Sequence, residues 1–150
     1  MQGIVVGVDG SGHSQRALEW AMHEAAIRKE PLTVMTVFPL IRSYYGSGWV
    51  TMPDDDVLAA RLLERVQDET DKVLAQIGGP LPETVRVKVE RGAIAEELVN
   101  ASADAEMLVV GSRGAGGFAR MMQGSVCALV TQHARCPVVI IPHAERENER

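Results

Sequence analysis

An open parallel five-stranded α/β sheet, Rossmann-like, in strand order 3-2-1-4-5 with helices on both faces, is the fold this sequence predicts. Three observations carry that reading. Short apolar runs alternate with longer stretches of helical spacing along all 150 residues. The runs are mostly unbroken Val, Ile and Leu, as strands covered on both faces must be. Two glycine-bearing turns, "VDGSG" and "GSRGAGG", follow the first and fourth of these runs. Right-handed crossovers leave few strand orders, and this one reverses the chain between the first and fourth strands. Ligands in such sheets bind at that crevice, beyond the carboxyl ends of the strands. The two glycine turns would then face one another.

Each element has its own signal. "GIVVGVD" (Gly3–Asp9) is a buried strand ending in turn residues. Ser11 or Ser14 offers an N-cap to a helix with Ala17, Leu18, Ala21, Met22 and Ala25 on one face, and Pro31 ends it. "LTVMTVF" (Leu32–Phe38) is the second strand. A connection follows from Pro39 to Pro53 and carries both tyrosines and Trp49. Tyr44, Tyr45 and Trp49, with Phe38 just before them, suit a mobile or dimer-facing loop better than a base-stacking lid. Asp54, Asp55 and Asp56 open a long helix, where the helix dipole favours acids over a metal role. Leu62, Leu63, Val66, Val73, Leu74 and Ile77 form its inward stripe.

"TVRVKVE" (Thr84–Glu90) alternates and so predicts a strand near a sheet edge. A short helix with Ile94, Leu98 and Ala101 inward precedes the fourth strand, "EMLVVG". "SVCALVTQHA" is a helix with Val126, Leu129, Val130 and His133 in register, and His133 reads as a packing residue. "CPVVIIP" is the last strand. One domain over residues 1–143 and a frayed charged tail over 144–150 complete the chain.

Composition narrows the function. With 46% hydrophobic and 23% charged residues the chain is globular. A formal net charge of −5 argues against a nucleic-acid footprint, which wants a basic face. No apolar run approaches the ~20 residues that span a bilayer. Residues 1–10 read as a strand rather than a leader, so a cytoplasmic protein is expected. Cys127 and Cys136 fit neither a CxxC nor a zinc spacing and read as buried free thiols.

The chemistry lies in "VVGSRGAGGFARMMQGSV", residues 109–126. Gly111 and Gly114 allow a tight backbone turn close to a ligand. Gly124 and Ser125 open a helix, whose unpaired N–H groups and dipole favour an anion. Fixed amides of this kind hold phosphate without a lysine. A Walker loop is absent, since no lysine lies in this segment. A dinucleotide fingerprint at Gly114, Gly116 and Ala119 fails because no helix starts at once and no acidic residue follows at the required distance. Arg113 and Arg120 are candidate phosphate neighbours or solvated loop charges.

The start "VVGVDGS", with Ser14, Ala17, Leu18, Trp20 and Ala21 behind it, the glycine spacing Gly111, Gly114, Gly124, Ser125, and the ending "CPVVIIP" resemble the universal stress protein family over nearly the whole chain. The resemblance implies a five-stranded sheet that binds ATP, or AMP or cyclic AMP, with Mg²⁺ accompanying ATP. It implies Val8, Asp9 and Gly10 near adenine and ribose, and the Val37 backbone reading the adenine edge. Gly111, Ser112, Arg113, Gly114, Gly124, Ser125 and Val126 would surround the ribose and phosphates. It also implies a homodimer joined through the last strand, residues 138–141. The expected role is regulatory binding, with no catalytic or metal-ligating residue assigned. A slow ATPase or nucleotidyl-transferring enzyme is the alternative, and a flavin or dinucleotide carrier ranks below it. His13 and Ser14 follow Asp9 closely, but no third orienting group makes a nucleophile of the serine.

Overall fold

The computed structural model describes residues 3–9, 14–39, 42–45, 48–51, 55–111 and 125–142. In chain order they form β1 (Gly3–Gly7), α1 (Gln15–Arg28), β2 (Leu32–Pro39), β3 (Arg42–Tyr45) and β4 (Gly48–Thr51). There follow α2 (Asp55–Gln76), β5 (Val85–Gly92), α3 (Ile94–Ser102), β6 (Ala105–Gly111), α4 (Ser125–His133) and β7 (Val138–Ile141). The main sheet runs β5-β2-β1-β6-β7, and every pairing in it is parallel. Counting its five strands along the chain, this is the predicted order 3-2-1-4-5.

The connection after β2 is not the plain loop its composition suggested. β3 and β4 pair with each other as an antiparallel hairpin, outside the main sheet. Glycines and serines there masked two short strands that lack a strong alternating pattern.

Alternation along the central strands sorts the core into two layers. Ile4, Val6, Val8, Leu32, Val34 and Val109 pack with Leu18 and Met22 of α1 and Val66 and Val73 of α2. Val5, Met35, Val37, Leu108 and Val110 pack on the other side with Leu98 of α3 and Val130 of α4. Pairs of helices therefore cover opposite faces, and β1 at the centre of the sheet is buried from end to end. β5 alternates between half-buried and exposed, as an edge strand does.

Local chemistry sets the ends. α1 closes at Lys29, which takes a left-handed conformation (φ 56°), two residues before the expected stop at Pro31. Gly3 has φ 64°, and a Cβ there would lie 2.3 Å from the Pro31 carbonyl oxygen. That close approach lets the Ile4 N–H donate to the same oxygen at 2.9 Å.

Three side chains differ from expectation. Leu63 is 40% and Leu129 44% exposed, and His133 lies at the surface rather than in the packing. Leu63 and Leu129 sit about 100° around their helices from Leu62 and Val130, which pack into the core. α2 and α4 flank the two edges of the sheet, where only a narrow stripe of the helix meets strands.

Candidate functional site

β1 leaves the crossover to β2 on one side and abuts β6 on the other, so the chain reverses between β1 and β6. Gly7 is in register with Val110, which brings Val8 abreast of Gly111 on neighbouring strands. Adjacent strands lie ~4.8 Å apart, so the two predicted turns do start side by side. α4 returns antiparallel to the strands on its way to β7, and its N-terminus at Ser125 and Val126 therefore lies at the same end as Gly111. Gly10, Ser112, Arg113, Gly114 and Gly124 lie outside the described residues, as does Arg120.

Val8 continues the β1 ladder by one bond, donating its N–H to the Met35 carbonyl at 2.9 Å, and is buried. Asp9 is the first polar residue past the strand and is half-buried. The Ser14 hydroxyl donates to its Oδ1 at 3.3 Å. Ser14 is the N-cap residue of α1 in position, yet its side chain makes no capping bond to that helix. It orients Asp9 instead. This bond links the residue after β1 to the start of α1.

Val37 stands where β2 outruns β1. β1–β2 pairing ends at Gly7 with Met35, whereas β2 stays paired to β5 as far as Pro39 with Gly92. In a parallel ladder alternate residues direct both backbone groups to the same neighbour. Pro31 and Met35 accept from Ile4 and Val8 on the β1 side. Val37 has the same parity, so its N–H and C=O are directed to the side where no paired residue of β1 remains. A donor–acceptor edge, such as that of a purine, matches such a pair. The Val37 side chain is meanwhile held in the α3/α4 layer.

Glu69 of α2 was not singled out by sequence pattern. Its Oε1 is buried and has no hydrogen-bond partner among the described residues. Burial pushes its carboxyl above the ordinary value, the Asp9 carboxylate pushes it further, and Lys72 opposes both. The available signal was a glutamate between Val66 and Val73, on a stripe that otherwise reads apolar. Cys136 is a free, partly buried thiol, raised chiefly by burial, with a Leu108 backbone hydrogen bond lowering it and Glu106 raising it. The Cys127 side chain lies outside the described residues. No group of three or more His, Cys, Asp or Glu side chains suited to a metal occurs among the described residues. No helix among them is long and apolar enough to cross a membrane.

The Asp9 carboxylate beside β1, the Val37 backbone beyond the last β1–β2 pair and the start of α4 lie at the same end of the sheet, around the chain reversal. Five parallel strands with this reversal of chain direction define an open α/β protein. The chain belongs to the universal stress protein family, whose model matches residues 1–142. It is 32% identical over 142 residues to a universal stress protein of Mycolicibacterium smegmatis, covering 93% of this chain and 47% of that one. It is 35% identical over 148 residues to universal stress protein Rv2623 of Mycobacterium tuberculosis, again covering 93% and 47%. The chain thus spans about half the length of these curated relatives.

Solved structures share the fold. A universal stress protein in complex with cAMP superposes with a TM-score of 0.64 at 24% identity, covering 94% of this chain and 96% of that one. UspA of Lactobacillus plantarum gives 0.66 at 21%, covering 93% and 97%. The universal stress protein of Archaeoglobus fulgidus in complex with dAMP gives 0.62 at 23%, covering 94% and 98%.

Proposed function

We propose that this protein binds an adenine nucleotide, with ATP the preferred occupant, and serves as a regulatory binding protein of the stress response in the cytoplasm. One observation carries the reading: Asp9, the outward-directed Val37 backbone and the N-terminus of α4 meet at the chain reversal between β1 and β6. Asp9 suits ribose hydroxyl donors, the Val37 groups suit the adenine edge, and the α4 terminus suits phosphate. Val8 and Gly10 flank Asp9. Gly111, Ser112, Arg113, Gly114, Gly124, Ser125 and Val126 line the phosphate side, with Mg²⁺ accompanying ATP as its counter-ion. Relatives of the same fold in complex with cAMP and dAMP support the adenine class.

The groups described supply recognition more readily than turnover. Hydrolysis requires a base or positioner in line with the terminal phosphate. Asp9 is bonded to Ser14 beside the end of β1, on the ribose side of this arrangement. The protein therefore reports nucleotide occupancy, as a homodimer through the edge of β7, where Ile140 is exposed.

Differential thermal unfolding tests the reading. A ligand that binds only the folded state at 100 times its Kd stabilises by about 2.7 kcal/mol. ATP at millimolar concentration should raise the Tm clearly, and GTP less. An unchanged Tm with ATP, AMP and cAMP alike removes the proposal. Sustained phosphate release over many turnovers would favour the ATPase instead.

A further inference from the structure

β5 ends the main sheet opposite β7 and pairs only with β2 among the described strands. Its register fixes which backbone groups are already used. Leu32 stands opposite Val85 and donates its N–H to the Thr84 carbonyl at 2.9 Å. In a parallel ladder alternate residues turn both groups to the same neighbour, so Thr84, Arg86, Lys88 and Glu90 serve β2. Val85, Val87, Val89 and Arg91 direct their N–H and C=O groups the other way, along an edge that no described strand covers. Edge strands are commonly blunted by being short, bulged or interrupted by proline. β5 is 8 residues long, pairs with β2 in continuous register, and holds no proline.

The two flanks of this edge differ in chemistry. On the α2 side a groove of about 590 Å³ is lined by Leu63, Val87, Glu64, Gln67 and Asp68. Glu64 and Asp68 are exposed and enter no ion pair among the described residues. Arg61, Arg65 and Arg86 stand outside this lining, so the groove carries negative charge over an apolar floor. On the α3 side a smaller groove of about 200 Å³ is lined in part by Lys88, Glu90, Glu97 and Asn100. Lys88 and Glu90 pair there at 2.8 Å and offset one another.

We infer that β5 is a docking edge for an extended segment of a partner protein, which adds a strand to the main sheet and carries lysine or arginine at alternate positions. Main-chain hydrogen bonds to Val87 and Val89 hold the segment, and the two flanks read its alternate side chains. Cationic side chains lay their methylene stems on Leu63 and Val87 and bring their heads to Glu64 and Asp68. Short polar side chains between them face the smaller groove. The formal net charge of −5 draws the same class of partner. The inference is independent of the nucleotide reading.

The test uses a fluorescein-labelled peptide as long as β5, with lysine and threonine in alternation, titrated with the whole protein by anisotropy. Two further peptides carry backbone N-methyl groups, one on every lysine and the other on every threonine. An added strand turns one of these sets to β5 and the other to solvent, so one methylated peptide should lose binding and the other keep it. Reversing two exposed charges together, Glu64→Lys with Asp68→Lys, should weaken the parent peptide about ten-fold and leave the Tm in place. Bound peptide should slow amide exchange at Val87 and Val89 but not at Arg86 and Lys88, which already serve β2. Should the double variant fold poorly, that exchange pattern in the wild type decides. No binding at millimolar peptide overturns the inference. Equal binding of both methylated peptides without selective protection shows charge attraction alone and overturns it as well. Protection of Val87 and Val89 that grows with protein concentration in the absence of peptide would give the edge to a second copy of the chain, again overturning it.

Discussion

Ser14 donates from its hydroxyl to Oδ1 of Asp9 over 3.3 Å, linking the start of α1 to the residue that follows β1. The bond bridges four intervening residues and holds the carboxylate at the carboxyl end of β1. Replacing Ser14 with Ala leaves a half-buried carboxylate short of one donor, which costs about 1 kcal/mol of stability. Urea unfolding should show that loss. ATP affinity should fall several-fold as Asp9 gains freedom. Unchanged affinity would mean that the hydroxyl serves the turn alone.

Glu69 sets a pH dependence of stability. Its carboxyl is raised from 4.5 by burial first, then by Asp9, with Lys72 opposing. Below 4.5 both folded and unfolded chains hold the proton, and the contribution of Glu69 is fully present. Between 4.5 and the raised folded value the unfolded chain has released its proton while the folded chain retains it, so stability declines as pH rises. Glu69→Leu should be more stable than the wild type at neutral pH, and that advantage should shrink towards acid. Denaturant midpoints in the two proteins across pH measure both statements.

The segment before β7 is fastened by one buried hydroxyl. Ser102 Oγ accepts from the Arg135 N–H at 2.9 Å and donates to the Val99 carbonyl at 2.6 Å. Ser102→Ala leaves the Arg135 N–H without this acceptor, at a cost of about 1–3 kcal/mol. Amide exchange should quicken first at residues 135–141, since Leu108 also bonds to Pro137 there. Uniform acceleration across the sheet would locate the bond's effect elsewhere.

β7 ends the sheet and pairs only with β6 among the described strands, with Ile140 40% exposed. A second copy aligned on this strand would cover an apolar edge that otherwise invites wrong partners. Ile140→Lys places a charge in that contact and should turn dimers into monomers in sedimentation. Unaltered mass would exclude β7 as the interface.

Gly3 is constrained twice, by its φ of 64° and by the Pro31 carbonyl 2.3 Å from where a Cβ would stand. Gly3→Ala should therefore cost about 2–3 kcal/mol, combining left-handed strain with displacement of the β1–Pro31 contact. A loss below ~0.5 kcal/mol, the scale of ordinary surface changes, would show that the strand end relaxes freely.

The sequence by itself determined the strand order, because unbroken apolar runs joined by helices admit few right-handed windings. It also predicted that Asp9 and the start of the glycine-rich segment stand close together, since both follow strands that the order makes neighbours, and β1 does pair with β6. The inward faces of α1 and α3 were legible for a similar reason: Leu18, Met22 and Leu98 recur at helical spacing against a broad sheet. Tertiary structure alone decided the rest. Leu63 and Leu129 face outward because a helix over a sheet edge buries a narrower stripe than its pattern suggests. β3 and β4 pair because each finds a partner strand, a long-range event that local composition does not encode. The charge state of Glu69 depends on a carboxylate sixty residues away in sequence, which only packing brings into range. Periodicity reports which face of an element is apolar; what that face meets, and how much of it is covered, is settled by neighbours from distant parts of the chain.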